Sequence, residues 1–390
     1  MFKKIVWLIP AYDDLFKSYA AILNKNQIPV TLYPYNTRCS QIGYKNFCSE
    51  LKKFANKADL ILISLWSGSH ILSPYLISTL KKDKFVVLFS LDDEIYSTHI
   101  SVNYAHILDM VVSNDYFGKG IFEQLGLKTL YYPFHRYFDE VQNFNLEKDI
   151  DISFVGNLMV SDRIKYINVL NDAGFRVEVF GKGTKNGFLN REEYISTICR
   201  SKINLNFTKV LLSRSIKFNE PWRFEARQIK GRPFEVSCLG SFCLSEWAPS
   251  AEFILGSKYT YSQFLDKNDL LEKVAYFLEN EKEREKIASD LNFYYKKNYS
   301  CPNSLINLFS QIYNKLNTIN KIKTNDSIKP SIFYLQRANI TSWNISKNLL
   351  KKGKFIEALS TLFRTFDFKV LIYSLLTIPY ILITKLFNYK

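Results

Sequence analysis

The chain is poor in the residues that staple or interrupt a fold. Its six cysteines, Cys39, Cys48, Cys199, Cys238, Cys243 and Cys301, form no Cys-x-x-Cys pair and no zinc spacing. Several lie in apolar runs, so they read as buried, reduced thiols of a cytosolic protein rather than a disulfide framework. Glycine and proline are scarce, 14 and 11 in 390 residues, and 47% of the residues are apolar. That composition excludes a disordered chain. Acidic residues are also in deficit, 37 against 52 basic, which leaves a formal charge of +15. The excess suits anionic partners such as nucleotide phosphates or acidic lipid headgroups. The usual nucleic-acid motifs are absent, and no nucleic-acid partner is expected. Long apolar runs are missing too. The longest uncharged stretch of the tail, Val370 to Thr384, has fifteen residues and contains Pro379. A spanning helix needs about 20 apolar residues. At the N-terminus, Asp13-Asp14 cut the apolar run from Ile5 to Pro10 short, so it reads as a first buried strand and not a signal.

What the sequence does have is alternation. Ile5 to Ile9, Pro29 to Tyr33, Asp59 to Ser64, Phe85 to Ser90, Met110 to Ser113 and Thr129 to Tyr132 read as strands. Asp14 to Asn24, Tyr44 to Asn56, Ile71 to Lys81, Ser101 to Leu108 and Gly118 to Leu125 read as helices between them. After a polar crossing the pattern restarts. Strands are predicted at Asp151 to Val155, Arg176 to Phe180, Ile203 to Phe207 and Ser241 to Ser245. Helices are predicted at Asp162 to Ala173, Glu192 to Cys199, Pro233 to Leu239, Leu270 to Asn280 and Lys282 to Tyr295. Such alternation implies parallel sheets with helices on both faces. Ligands then bind beyond the carboxyl ends of strands.

Several of those ends carry chemistry. Trp66-Ser67-Gly68-Ser69-His70 offers small, polar and aromatic groups suited to a sugar-like acceptor. Asp92-Asp93-Glu94, with His99 behind, can supply a general base from Asp92 or Asp93. The same acids can equally cap the next segment or be solvated. Gly156-Asn157, followed by Arg163 in the first turn of a helix, makes either an anion site or an ordinary turn. The loop from Thr208 to Gly231 holds Arg214, Lys217, Arg223, Arg227 and Lys230 among Phe218, Trp222 and Phe224. Guanidinium groups bind phosphate in pairs of bonds, and aromatic rings stack on bases or sugars. Lys230 to Glu246 then reads as a short helix opened by Pro233, a stop at Gly240 and a buried strand. Glu235, inside that helix, can accept two hydrogen bonds from vicinal hydroxyls.

The order Ser-Phe-Val-Gly-Asn, Arg163, a Phe-Gly turn, Ser-Lys-Ile-Asn-Leu-Asn-Phe and Arg-Pro-Phe-Glu resembles the donor domain of GT-B glycosyltransferases. The form Arg232-x-x-Glu235 is similar to the spore-maturation-type branch of the group 1 family. A second glutamate common in relatives is replaced here by Arg227. The resemblance implies an α/β fold with two Rossmann-like domains, parallel sheets facing across a cleft, and a helical C-terminal extension. The expected division is an acceptor domain over 1–137, a linker over 138–149, a nucleotide-sugar domain over 150–317, a polar linker over 318–330 and a tail over 331–390. The implied reaction moves a sugar from a nucleotide-sugar co-substrate to a glycan or lipid-linked acceptor, in surface-polysaccharide synthesis. Asp92, Asp93 and Arg232 take catalytic roles. Gly156, Asn157, Arg163, Arg227, Glu235 and Gly240 hold the nucleotide-sugar. No cofactor or metal is expected. A glycerophosphotransferase-like enzyme and a non-catalytic membrane-docking subunit stay open as other readings.

The tail from Ser331 to Lys390 has nine Lys or Arg against Glu357 and Asp367. Ile345 to Phe366 reads as one or two amphipathic helices broken at Gly353. Basic flanks around an uncharged run suit the inner face of the cell membrane, as a peripheral contact. A helix packed on the protein is the other reading.

Overall fold

The computed structural model describes residues 2–65, 71–91, 100–139, 146–158, 162–210, 226–318 and 332–365. They form two compact units. One draws on residues 1–114, 118–132 and 308–390, the other on residues 115–117 and 133–307.

The first unit is built on a six-stranded, all-parallel sheet. Strands β1 (Ile5–Ile9), β2 (Val30–Pro34), β3 (Leu60–Ile63), β4 (Phe85–Ser90), β5 (Met110–Ser113) and β6 (Lys128–Tyr131) lie in the order β2-β1-β3-β4-β5-β6. Ile5 stands between Val30 and Leu60, and Val87 stands beside Met110. Every residue of β1 and β3 is buried. Strands covered on both faces need unbroken apolar runs, which is why these two carry no alternation. Helices α1 (Asp14–Lys25), α2 (Tyr35–Ile42), α3 (Tyr44–Ala55), α4 (Pro74–Lys81) and α5 (Lys119–Gln124) run between strands. Asp13 starts α1 by accepting the Leu15 N–H at 2.8 Å. Ser73 starts α4 by accepting from Leu76 at 3.1 Å, with Pro74 in its first turn. Trp7 is fully buried, donates to Ser64 Oγ at 3.0 Å and packs on Phe16 and Phe89.

Up to β6, two elements differ in kind from the sequence reading. Helix α2 was not expected; its buried residues are only Tyr35 and Cys39, so its apolar period is too short to see. Ser101–Ile107 is a 3₁₀ turn rather than an α-helix. Asn103 bonds the Ile100 carbonyl through both its backbone N–H, at 3.2 Å, and its side chain, at 3.1 Å, which favours the tighter winding.

The second unit has a five-stranded parallel sheet. Strands β7 (Ile150–Val155), β8 (Val177–Phe180), β9 (Ser201–Asn206), β10 (Cys243–Glu246) and β11 (Gln263–Phe264) lie in the order β11-β10-β9-β7-β8. Helices α6 (Arg163–Asp172), α7 (Arg191–Arg200), α8 (Gly231–Cys238), α9 (Ala251–Leu255), α10 (Lys267–Glu279) and α11 (Glu281–Asn298) accompany it. Helix α8 ends as Gly240 predicts. Gly240 has φ of +68° and donates to the Ser237 carbonyl, while the Ser241 N–H reaches back to Val236, both at 3.1 Å.

From Leu308, within α12 (Asn303–Asn317), the chain is part of the first unit again. Phe309 packs on Phe89, and Lys315 donates to the Thr129 carbonyl at 3.4 Å. Helices α13 (Ile332–Lys351) and α14 (Phe355–Thr365) form a hairpin about Gly353, at φ of +71°. The hairpin seats Ile345, Leu349 and Ala358 in the core of the first unit. Thr361 Oγ1 accepts from the Tyr44 N–H at 3.0 Å, and Lys354 donates to the Gln41 carbonyl at 2.6 Å. Among the described residues no helix is long and apolar enough to cross a membrane.

Two buried ionisable groups set testable stability. Lys81 and Asp109 pair at 2.8 Å deep in the first unit. Lys81 also donates to the Ile107 carbonyl at 2.9 Å, and Asp109 accepts from the Val86 N–H at 2.7 Å. Removing one partner leaves a buried charge uncompensated. Lys81→Met should therefore cost about 3–5 kcal/mol in urea unfolding. By contrast the exposed pair Lys258–Asp290, at 2.6 Å, should lose under about 1 kcal/mol on Lys258→Met. Equal losses would remove the distinction.

His135 is buried in the second unit, stacked on Phe234 with Nδ1 toward the Pro133 carbonyl at 3.1 Å and Nε2 toward Tyr295 Oη at 3.2 Å. Burial pulls its pKa from 6.5 down to about 4. The unfolded chain then takes the proton first, so stability falls as pH drops from about 6.5 to about 4. The loss should reach about 3 kcal/mol. His135→Gln should abolish that part of the pH dependence in denaturant titrations. An unchanged slope would count against it.

Candidate active site

The carboxyl ends of β7, β9 and β10 are neighbours in the second sheet. Three arginines meet there. Helix α8 starts at Gly231, so Arg232 falls in its first turn. Its Nη2 donates to the Val155 carbonyl at the end of β7, at 2.5 Å. Its guanidinium lies 4.7 Å from the Tyr194 ring centre, and Nη1 stands 3.5 Å from Glu235 Oε2. Burial pushes the Arg232 pKa down, and Glu235 opposes that shift. Nη1 has no hydrogen-bond partner among the described residues. A buried donor left in that state marks a place for a ligand oxygen or water.

Glu235 sits one turn further along α8 and is buried. Its Oε2 accepts from Tyr194 Oη at 2.5 Å, and its Oε1 accepts from the Arg136 N–H at 3.2 Å. Each oxygen retains capacity for a second donor. Gly231 is closely packed here, since a Cβ would stand 3.0 Å from the Phe134 carbonyl oxygen and 3.3 Å from Glu235 Oε1.

Gly156 and Asn157 follow β7. The Gly156 N–H donates to the Phe180 carbonyl at 2.8 Å, and a Cβ on Gly156 would strike the Phe154 ring at 2.8 Å. A Cβ on Gly181 would meet the Gly156 carbonyl oxygen at 2.3 Å, so the two glycines fix a close backbone approach. Arg163 opens α6 and folds back. Its Nη1 donates to the Asn157 carbonyl at 2.9 Å, and its guanidinium lies 5.8 Å from the Phe154 ring centre. Burial lowers its pKa to about 10, opposed by Glu246 and reinforced by Arg232. Arg163 therefore lies within electrostatic reach of both groups.

Arg227 pairs with Glu246, the last residue of β10. Glu246 is 2% exposed and also accepts the Thr208 N–H at 2.9 Å and the Lys209 N–H at 3.0 Å. The Val210 N–H donates to Ala226 and the Gln228 N–H to Thr208, each at 2.9 Å. Lys209 reaches Asp162 at 3.2 Å. Residues 208–210 and 226–228 are thus held against each other at the carboxyl edge.

The structure brings together Gly156, Asn157, Arg163, Arg227, Arg232 and Glu235. It sets Gly240 apart, before the amino end of β10, where it stops α8. Asp92 and Asp93 lie outside the described residues, as do Trp66 to His70, Arg214 to Phe224 and Val370 to Thr384. Sequence reading missed Tyr194, Glu246 and Lys209. Glu246 had a usable signal, because it closes a strand at the edge where ligands gather. Tyr194 had none, since an aromatic on an amphipathic helix reads as core. No group of three or more His, Cys, Asp or Glu able to hold a metal occurs among the described residues.

Residues 163–307 match the family described as glycosyl transferase-like. No curated protein matches the chain. Among solved structures, the Anabaena protein Alr3699/HepE in complex with UDP-glucose superposes with a TM-score of 0.58 at 12% identity, covering 82% of this chain and 100% of that one. Sucrose-phosphate synthase from Thermosynechococcus elongatus gives 0.56 at 11%, covering 80% and 99%. A glycosyltransferase from Rickettsia africae gives 0.53 at 12%, covering 81% and 99%. These likenesses show the fold, with two parallel sheets and a helical C-terminal part. Within that shared fold, residues 163–307 form a glycosyl transferase-like domain.

Proposed function

We propose that the chain transfers a sugar from a nucleoside-diphosphate sugar to a glycan or lipid-linked acceptor, as in surface-polysaccharide synthesis. The observation that carries this is the meeting of Arg163, Arg227 and Arg232 with Glu235 at one sheet edge, inside the matched domain. The Anabaena protein of like fold, solved with UDP-glucose, supports a nucleotide-sugar donor.

In this reading Glu235 accepts the ribose hydroxyls through its remaining lone pairs. Tyr194 and the Arg136 N–H hold it in orientation. Arg232 offers Nη1 to the diphosphate, and Arg163 and Arg227 add charge nearby. As the sugar–phosphate bond breaks, negative charge grows on the diphosphate. Preoriented guanidinium groups stabilise that charge with little reorganisation. Gly156 and Asn157 let the backbone approach the donor closely. Asp92 or Asp93 acts on the acceptor hydroxyl. The spore-maturation-type branch fits the Arg-x-x-Glu form and is part of this reading. So is a peripheral place on the inner membrane face, with the basic tail as the contact. No metal is required, because the arginines take the charge that a metal would.

Glu235→Gln should weaken nucleotide binding measured by calorimetry while leaving the thermal unfolding curve in place. Unchanged affinity would remove Glu235 from the donor site. Arg232→Ala should slow transfer by roughly 30- to 1000-fold, equivalent to about 2–4 kcal/mol in the transition state. Arg232→Lys should also be slow, because an ammonium lacks the planar fork that spans Val155 and a phosphate. Near-normal turnover in either variant would reject the role. Nucleotide binding without turnover of any UDP-, GDP-, dTDP- or CDP-sugar would favour a non-catalytic subunit.

A further inference from the structure

The α13–α14 hairpin buries one side and leaves another apolar. Ile340, Trp343 and Leu350 stand on α13 at 52%, 58% and 44% exposure, and Phe355, Ile356 and Leu359 on α14 at 67%, 81% and 46%. Scattered exposed apolar residues are ordinary. With Phe363 at 69%, seven on two adjoining helices form a patch, and such patches mark interaction surfaces. Its spacing is helical. Ile340, Trp343, Lys347 and Leu350 form one stripe beside the buried Ile345 and Leu349.

The charges around this patch are predominantly basic. Lys347, Lys351, Lys352 and Arg364 are exposed, and Glu357 is the sole acidic residue between 332 and 365. A second observation lies next door. A hollow of about 430 Å³ between α3 and α4 is lined by Lys52, Lys82 and Lys84, with Ser78 and Thr79. No acidic residue lines it. Lys52, on the rim of the hollow, and Arg364, at the end of the hairpin, are both within electrostatic range of Cys48 on α3. Helix α3 packs against both α4 and α14. Three ammonium groups with two hydroxyls suit a phosphate.

We propose that this face of the first unit docks on an anionic phospholipid bilayer. The hairpin residues enter the headgroup and acyl boundary, and the lysine hollow takes a lipid phosphate. Trp and Phe favour that depth, because they are apolar with a polar or polarisable edge. A protein partner would need acidic groups matched to these lysines, whereas an anionic bilayer supplies phosphates at any register. The proposal deepens the peripheral-membrane reading above and moves the contact from the uncharged run Val370 to Thr384 to the hairpin before it.

The test uses the full chain and vesicles of phosphatidylglycerol with phosphatidylcholine, against phosphatidylcholine alone. Wild type should sediment with the anionic vesicles, less so at high salt. Trp343→Ser with Ile356→Ser should reduce the bound fraction at every salt concentration. Lys52→Gln, Lys82→Gln and Lys84→Gln together should weaken anionic binding roughly a hundredfold, from about 1 kcal/mol for each lysine, and remove much of its salt dependence. Thermal unfolding should be unchanged in both, since the altered side chains are on the surface. Wild-type vesicle binding in both variants would overturn the proposal, as would equal binding to phosphatidylcholine alone. A dimer in sedimentation velocity that Trp343→Ser dissolves would assign the face to a second copy instead. Nucleotide binding without vesicles separates this proposal from the donor reading, because neither variant touches the carboxyl edge of the second sheet.

Discussion

A buried carboxylate must be matched, and matching Glu246 organises the candidate site. Glu246 ends a strand in the middle of the second sheet and has almost no contact with solvent. Two backbone N–H groups and the Arg227 guanidinium satisfy it. Left without Arg227, the charge would cost several kcal/mol. Those partners come from the two sides of one long connection, so satisfying Glu246 also draws residues 208–210 against residues 226–228. The first turn of α8 follows within a few residues, which carries Arg232 to the end of β7. Electrostatic demand at one strand end thus sets where three other groups lie.

That dependence changes the meaning of Arg227. In sequence it reads as a replacement that breaks an expected pair of glutamates. In the structure it serves a different carboxylate, nineteen positions along the chain. A spacing rule compares neighbours along one helix and cannot see a partner across the sheet edge. Glu235 shows the converse. Its place inside the helix was readable from the sequence, but its partners Tyr194 and the Arg136 N–H come from 41 and 99 residues away. Distant pairings of that kind leave no period in the sequence.

The fold was easier to read, for a physical reason. Parallel strands covered on both faces must be apolar runs, and the helices that cover them must be amphipathic. Both demands write local patterns, as in Ile5–Ile9 and Leu60–Ile63. Elements that fail to write them were missed or blurred. Helix α2 has one short buried pair, and Ser101–Ile107 is wound by an asparagine side chain. Gly353 was legible because a break between two periodic runs needs a residue free to take positive φ, and it does.

The tail shows how far a period can go. Periodicity identifies an apolar stripe but not its occupant, and the hairpin has more apolar surface than one stripe needs. Part of it is claimed by the first unit. Ile345, Leu349 and Ala358 sit in its core. Gly43 comes so near α14 that a Cβ would stand 2.8 Å from the Glu357 Cβ, at a residue whose φ of +77° already disfavours any side chain. Cutting the chain at 329 would therefore expose the apolar seat on α2 and α3 as well as remove any lipid contact. Loss of vesicle binding in such a truncation would not separate the two causes. Substitutions confined to the outward residues of the hairpin do separate them, because the inner stripe and the Tyr44–Thr361 bond remain in place.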